Sequence, residues 1–120
     1  MTYPENAISR IDDGLNVYQA LARRTARPAL PFRERLAVAA LGLVGEAAEV
    51  SEHVKKHVGH GHDLDTLKVL EELGDVLWYI AEITTMLRAD LGVVAGMNVS
   101  KLRARYPDGF REEASRDRDT

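Results

Sequence analysis

Apolar residues recur every three or four positions along most of the chain, which is the spacing of one face of an α-helix. The pattern is clearest in residues 36–54 and in residues 69–87. The first stripe consists of Leu36, Ala40, Leu43, Ala47, Val50 and Val54, and the second of Val69, Leu73, Val76, Leu77, Ile80 and Leu87. This pattern predicts an all-α protein in which each of the two stretches buries one face.

Proline and glycine residues divide the periodic stretches into four predicted helices. These helices cover residues 5–24, residues 32–59, residues 64–91 and residues 93–106. Pro28 and Pro31 mark the first linker, and Pro107 follows the fourth helix. Gly92 is the predicted stop of the third helix. The charged residues 111–120 are predicted to form a flexible tail.

Acidic side chains occupy a separate face on each of the two central helices. Glu46 and Glu49 form an i, i+3 pair on the second predicted helix. Glu72 and Asp75 form the corresponding pair on the third. If the two helices pack antiparallel, the four carboxylates converge and need a counter-charge. A Mg²⁺ ion would supply it, because Mg²⁺ prefers oxygen ligands.

The alternative interpretation is that these acids are solvated charges on helix surfaces. That is the more common fate of any single i, i+3 acidic pair, but two pairs that each border an apolar stripe favour metal binding. Gly42 and Gly45 lie beside the first pair. Because they have no side chains, we expect a ligand or another backbone to approach closely there.

Three segments extend the four acids into a longer pattern. The first reads Gly-Leu-Val-Gly-Glu-Ala-Ala-Glu-Val at residues 42–50, and the second reads Glu-Leu-Gly-Asp-Val-Leu-Trp-Tyr at residues 72–79. The third, Asn-x-x-Lys-Leu-x-x-Arg-Tyr-Pro-Asp-Gly-Phe, covers residues 98–110. In this order they resemble the ExxE…ExxD pattern and following segment of the all-α, MazG-like nucleoside triphosphate pyrophosphohydrolases, over roughly residues 36–110. One departure is Gly45, where many relatives carry an additional Glu.

The resemblance implies a four-helix, MazG-type bundle over residues 1–110 that forms a homodimer or homotetramer through its helix faces. It implies hydrolysis of a nucleoside triphosphate between the α- and β-phosphates, dependent on Mg²⁺ or on Mn²⁺ as a substitute, with nucleotide-pool housecleaning as the role. The implied metal ligands are Glu46, Glu49, Glu72 and Asp75, of which Glu46 and Glu49 are also the catalytic candidates. The implied substrate-binding residues are Lys56, Tyr79, Asn98, Lys101 and Arg105.

Selectivity among bases has to come from residues other than the acids and cations, which interact only with metal and phosphate. The candidates for base stacking are Tyr18, Phe32 and Trp78, and the nearby amides are Asn16 and Gln19. Stacking tolerates many bases, so we expect moderate selectivity. A preference for deoxynucleotides or non-standard nucleotides follows from family analogy.

Two other functions are compatible with the sequence. A non-enzymatic helical interaction module would carry the acids as a solvated face or as a structural metal site. A hydrolase acting on another diphosphate-containing metabolite would keep the metal ligands and differ in the base pocket.

The histidines between the central helices suggest a zinc site, but a glycine-punctuated loop gives no sign of an ordered ligand set. We therefore interpret residues 57–65 as a polar connector in which Asp63 or Asp65 caps the third helix. His53 lies one turn after Glu49 and is interpreted as a surface or structural residue.

Composition limits the remaining function classes. A chain of 120 residues is long enough for one domain, and its net charge of −3 argues against a nucleic-acid-binding role. The absence of cysteine excludes disulfides and thiolate sites. The first residues lack a secretory pattern and no apolar run is long enough to cross a membrane, so we expect a cytoplasmic protein without a membrane partner.

Overall fold

A computed structural model describes residues 7–27 and 29–117, apart from the side chains of residues 7–9 and 11, and all of its regular structure in those residues is helical. The helices are α1 (Ala7–Arg23), α2 (Phe32–His60), α3 (Thr66–Met86), α4 (Leu91–Arg105) and α5 (Glu112–Arg116). The all-α prediction is confirmed. None of these helices combines the length and apolar character needed to cross a membrane.

The predicted end of the third helix is wrong. The helix stops at Met86, and Arg88 then takes a left-handed conformation with φ of 58°. Gly92 does not stop a helix but lies in the first turn of α4, where a Cβ atom would come within 2.6 Å of the Asp12 Cα atom of α1. The glycine is therefore needed for close helix packing.

The remaining differences lie at the chain ends. The predicted first helix begins at residues 5 and 6, which fall outside the described residues, as does the linker residue Pro28. The predicted flexible tail contains the short helix α5. Glu112 and Glu113 in its first turn and Arg116 in its last turn complement the helix dipole, which favours a helix in this charged segment.

A five-residue connector joins α2 to α3. Gly61 ends α2 in the left-handed conformation, with φ of 70°, that glycine adopts without strain. The Asp65 carboxylate accepts a hydrogen bond of 3.1 Å from the Lys68 backbone N–H, which confirms the predicted N-cap. Across the connector, His57 Nδ1 lies 2.7 Å from the His62 carbonyl oxygen, so this imidazole contacts the backbone just beyond the end of α2.

The contacts between α2 and α3 show that the two helices run antiparallel. Near the start of α2, Arg35 forms an ion pair with Glu82, which lies toward the end of α3. Further along α2, His53 pairs with Glu72, which lies toward the start of α3. Between these two points Gly42 faces the ring of Tyr79. This arrangement brings the two acidic faces together.

Helix α1 is fixed against α3 and the start of α4 by one buried amide. The side chain of Gln19 donates hydrogen bonds to Thr85 Oγ1 at 2.9 Å and to the Ala89 carbonyl at 3.0 Å. Its oxygen accepts a 2.7 Å hydrogen bond from the Leu91 backbone N–H. Gln19 is therefore a structural residue here, which removes it as a ready candidate for reading a base.

Much of the apolar surface of α2 and α3 remains exposed. The buried apolar side chains among the described residues are those of Ala39, Ala81, Met86 and Leu91. Leu41 and Val44 of α2 are 72% and 67% exposed, and the radius of gyration is 17.3 Å. A compact chain of this length would have a radius of about 13.6 Å. The chain is thus more open than a typical single domain.

The apolar faces of α2 and α3 are buried differently from the sequence-based prediction. Within the predicted stripe of α2, Leu36, Leu43 and Val50 are half-buried, while the alternating members Ala40, Ala47 and Val54 are exposed. This happens because α2 packs against α3 alone among its substantial helix contacts in the described chain. The oligomer prediction included Ala81 of α3, with Leu70, Leu77 and Trp78, in an apolar surface available to a partner chain, but Ala81 is buried within the chain.

Candidate functional site

Three carboxylates converge where the acidic faces of α2 and α3 meet. Oxygens of Glu46, Glu72 and Asp75 all lie within 4.8 Å of one another. Glu72 and Asp75 project from α3 one turn apart, and the antiparallel packing places Glu46 of α2 opposite them. Glu46 and Glu72 are half-buried, whereas Asp75 is exposed. We call these three residues the oxygen group.

The oxygen group concentrates negative charge. A hydrogen bond with Glu72 is the main cause that raises the pKa of Glu46 above its ordinary value, followed by partial burial and by the charges of Asp75, Glu72 and Glu49. Without a counter-charge, the Glu46 carboxyl retains its proton more readily than an isolated glutamate does. A closely spaced set of carboxylate oxygens fits Mg²⁺ or Mn²⁺, which would replace the shared proton.

Glu49 lies in a second, adjoining group. Ligand atoms of Glu49, His53 and Glu72 are also within 4.8 Å of one another, and His53 Nε2 is 3.9 Å from Glu72 Oε1. We call these three residues the mixed group. The four acids are therefore brought together as two neighbouring groups that share Glu72, and not as one cage. The sequence-based interpretation of His53 missed its contact with α3, although its i, i+4 spacing from Glu49 was the available signal.

An aromatic pair borders the oxygen group. Trp78 and Tyr79 have ring centroids 5.1 Å apart and nearly perpendicular planes. Together with Glu46 and Asp75 they line an open cavity of about 310 Å³. Tyr79 was the one predicted substrate-binding residue that the structure brings beside the acids.

One of the two glycines near the acids, Gly42, has a different role from the predicted one. A Cβ atom at Gly42 would overlap the Tyr79 ring, so the missing side chain makes room for that ring and not for a ligand or another backbone. Gly45, in contrast, has no atom within 4 Å of the position of a Cβ. Its position is open, and a side chain there would meet no neighbour.

A second cavity, of about 350 Å³, also borders the aromatic pair. Trp78 and Tyr79 line it as well, and the ion pair of Arg35 and Glu82 forms part of its wall. The Trp78 indole N–H donates a 2.8 Å hydrogen bond to Thr25 Oγ1, which holds the ring in place. Sequence reasoning assigned no role to Arg35 or Glu82, because they lie 47 positions apart.

The three aromatic residues predicted to face a base have different environments. Trp78 lines both cavities. Tyr18 of α1 is half-buried, and its pKa is raised first by burial and then by the negative charge of Asp75, which associates its phenol with the acidic site. Phe32 is 55% exposed at the start of α2. Trp78 and Tyr18 are therefore the better supported candidates.

The predicted phosphate-binding cations are not joined to the acids by any described hydrogen bond or ion pair. Lys56 Nζ lies 4.0 Å from a Glu52 oxygen on the surface of α2. Lys101 and Asn98 are exposed on α4, which packs mainly against α1. The guanidinium of Arg105 lies 5.9 Å from the centroid of the Tyr106 ring. Their substrate-binding roles stay predictions.

Comparison with known proteins agrees with the helical architecture and the acidic site. Residues 36–110 match the MazG nucleotide pyrophosphohydrolase domain. The Gene 37 protein of Mycobacterium phage L5 is 36% identical over 80 residues, which cover 63% of this chain and 70% of the phage protein. No solved structure matches the chain. Because the domain match spans more than half of the chain and contains both acidic pairs, this protein belongs to the MazG nucleotide pyrophosphohydrolase family.

Proposed function

We propose that the protein is a Mg²⁺-dependent nucleoside triphosphate pyrophosphohydrolase. It cleaves the substrate between the α- and β-phosphates to give a nucleoside monophosphate and pyrophosphate, with Mn²⁺ as a substitute ion. The observation that carries the proposal is the convergence of Glu46, Glu72 and Asp75 within a MazG domain match. Removal of non-standard nucleotides from the pool is the corresponding cellular role, and the cytoplasmic location stays a prediction.

Glu46, Glu72 and Asp75 would hold the ion, with Glu49 beside them in the adjoining group. The ion would neutralise phosphate charge and make a bound water more acidic. Glu46 accepts a proton from the attacking water, because a carboxylate whose pKa is raised is a stronger base than an ordinary one. The water oxygen bonds to one of the two phosphorus atoms, and the bond between that phosphorus and the bridging oxygen breaks. The bridging oxygen therefore leaves with the other product. Tyr79 borders this position and donates its phenol proton in a hydrogen bond to phosphate or sugar.

The nucleoside occupies the second cavity, which borders the aromatic pair. Trp78 and Tyr79 line both cavities, so a substrate can extend past them from the acids into the second space. Trp78 and Tyr18 are the residues that stack on the base in this proposal. The ion pair of Arg35 with Glu82 forms part of the wall of this cavity, and the Arg35 Nε–H has no hydrogen-bond partner among the described residues. Because stacking on aromatic rings discriminates only weakly between bases, we expect moderate selectivity.

The outer phosphates require positive charge that the acidic site lacks. Lys56, Asn98, Lys101 and Arg105 are proposed to supply the remaining phosphate contacts. Their exposed or partly exposed positions leave their side chains accessible to a ligand. Single substitution of Lys101 by Met should raise KM more than it lowers kcat if the residue binds phosphate in both ground and transition states.

The protein is proposed to assemble as a homodimer or homotetramer. Leu41, Val44 and Leu70 present apolar surface on α2 and α3, at 72%, 67% and 58% exposure. Together with the large radius of gyration, this supports a partner covering that face. Light scattering should give a mass at least twice that of the chain, and a monomer at micromolar concentration would contradict the assembly.

A nucleotide panel tests the activity. The protein is incubated with each common nucleoside triphosphate, with and without Mg²⁺, and products are resolved by ion-exchange chromatography. Monophosphate plus pyrophosphate in the presence of Mg²⁺ supports the proposal. Diphosphate plus phosphate, or turnover only of another diphosphate-containing metabolite, would assign a different hydrolase. Metal-independent folding without any turnover would favour a non-enzymatic interaction module.

A further inference from the structure

His53 occupies a different environment from the other histidines. Its side chain is 26% exposed and faces α3, where Glu72 is 18% exposed. His57, one turn later on the same helix, is instead engaged with the His62 carbonyl in the connector. The position of His53 therefore combines partial burial with an acidic neighbour on another helix.

The mixed group differs chemically from the oxygen group beside it. Glu49 and Glu72 provide carboxylate oxygens, and His53 adds an imidazole nitrogen, with all three ligand atoms within 4.8 Å of one another. Carboxylate sets suit Mg²⁺ and Mn²⁺, whereas imidazole suits transition ions and is a poor ligand for Mg²⁺. Small side-chain rotations would bring three donors this close together onto one ion.

We propose that Glu49, His53 and Glu72 form a second cation position in which the His53 nitrogen binds the ion directly, so that this position prefers Mn²⁺ and other first-row transition ions to Mg²⁺. The inference rests on the proposed function, because Glu72 is shared with the oxygen group. It deepens that function by giving the two neighbouring positions different metal preferences.

The test uses Mn²⁺ as a spectroscopic probe with the full chain and no nucleotide. Pulsed electron paramagnetic resonance detects magnetic coupling between Mn²⁺ and a directly bound ¹⁴N nucleus. We compare the wild-type protein with His53→Gln and with the matched control His57→Gln, which removes a histidine from the same helix. Isothermal titration calorimetry measures Mn²⁺ and Mg²⁺ affinities in parallel, and circular dichroism checks helicity.

The expected result is nitrogen coupling in the wild type and in His57→Gln, and its loss in His53→Gln. The Mn²⁺ dissociation constant of the second position should rise on the order of 10-fold in His53→Gln. The Mg²⁺ constant should change by less than about threefold, because imidazole contributes little to Mg²⁺ binding.

Three results would overturn the inference. Mn²⁺ bound without nitrogen coupling would show that His53 only pairs with Glu72. Coupling that persists in His53→Gln would identify another histidine as the ligand. A wild-type protein that binds no Mn²⁺ would contradict the second position. The proposed function would be contradicted as well only if the lack of Mn²⁺ binding were accompanied by absent or Mg²⁺-independent turnover. The failure of the inference and the failure of the proposed function are therefore distinguishable.

Discussion

The packing of α1 against α4 and the packing of α2 against α3 are built in different ways. The α1–α4 contact relies on close backbone approach at Gly92 and on the buried Gln19, which is 8% exposed and fully hydrogen-bonded. The α2–α3 contact instead carries clustered carboxylates at Glu46 and Glu72, and its outer surface is apolar and exposed. Hydrogen bonds of Gln19 and Asn16 fix the first contact, in which the Asp12 Oδ1 atom is buried without a hydrogen-bond partner among the described residues. The second contact instead gathers negative charge where a ligand is expected.

Substitution of the shared carboxylate should have the largest effect. Glu72→Gln removes a negative oxygen from both groups at once, so turnover should fall by about 100-fold or more while helicity is preserved. Activity assays and circular dichroism measure the two properties. Glu71→Gln is the matched control, because Glu71 is exposed and lies 3.7 Å from Lys68. Equal activity in Glu72→Gln and Glu71→Gln would show that the acidic cluster is not required for turnover.

The hydrogen bonds of Gln19 provide the corresponding test of the α1–α4 contact. Gln19→Leu removes three hydrogen bonds and leaves the Leu91 backbone N–H without its partner, so the free energy of unfolding should fall by about 2–4 kcal/mol. Thr85→Val removes one of the three bonds and should cost about 1 kcal/mol. Urea denaturation measures both. Similar losses in the two variants would show that the anchor depends on Thr85 alone.

Gly42 and Gly45 allow two positions on α2, one packed and one open, to be compared. Gly42→Ala forces the Tyr79 ring to move, which should destabilise the protein by about 1–3 kcal/mol and lower turnover. Gly45→Ala meets no neighbour in the chain and should stabilise the helix by up to about 1 kcal/mol. Thermal unfolding and activity assays distinguish them. If Gly45→Ala were the more damaging change, that open position would be covered by substrate or by a second chain.

Local spacing made the acidic part of the site predictable. The i, i+3 pairs at Glu46 and Glu72 lie on helices whose faces follow directly from periodicity, so their convergence needed only antiparallel packing. The partnership of Arg35 with Glu82 depends on tertiary contacts between distant residues, which one sequence does not encode in any local pattern. Gly92 was misread for the same reason, because a glycine needed for helix packing resembles a glycine that ends a helix.

The smallest expected effect is the pH dependence of the metal-free protein. The folded state raises the pKa of Glu46 above about 4.5, so between that value and the raised one it binds more protons than the unfolded state. Stability should therefore fall as pH rises through this window, by at most a few degrees in Tm. Glu46→Gln should flatten the dependence, whereas the exposed control Glu52→Gln should retain it. Added Mg²⁺ should oppose the loss, because it binds the deprotonated carboxylates and so stabilises the folded state where the proton has left. A metal-free Tm that rises with pH equally in the wild type and in Glu46→Gln would show that the carboxylates of α2 and α3 are not close enough to share a proton.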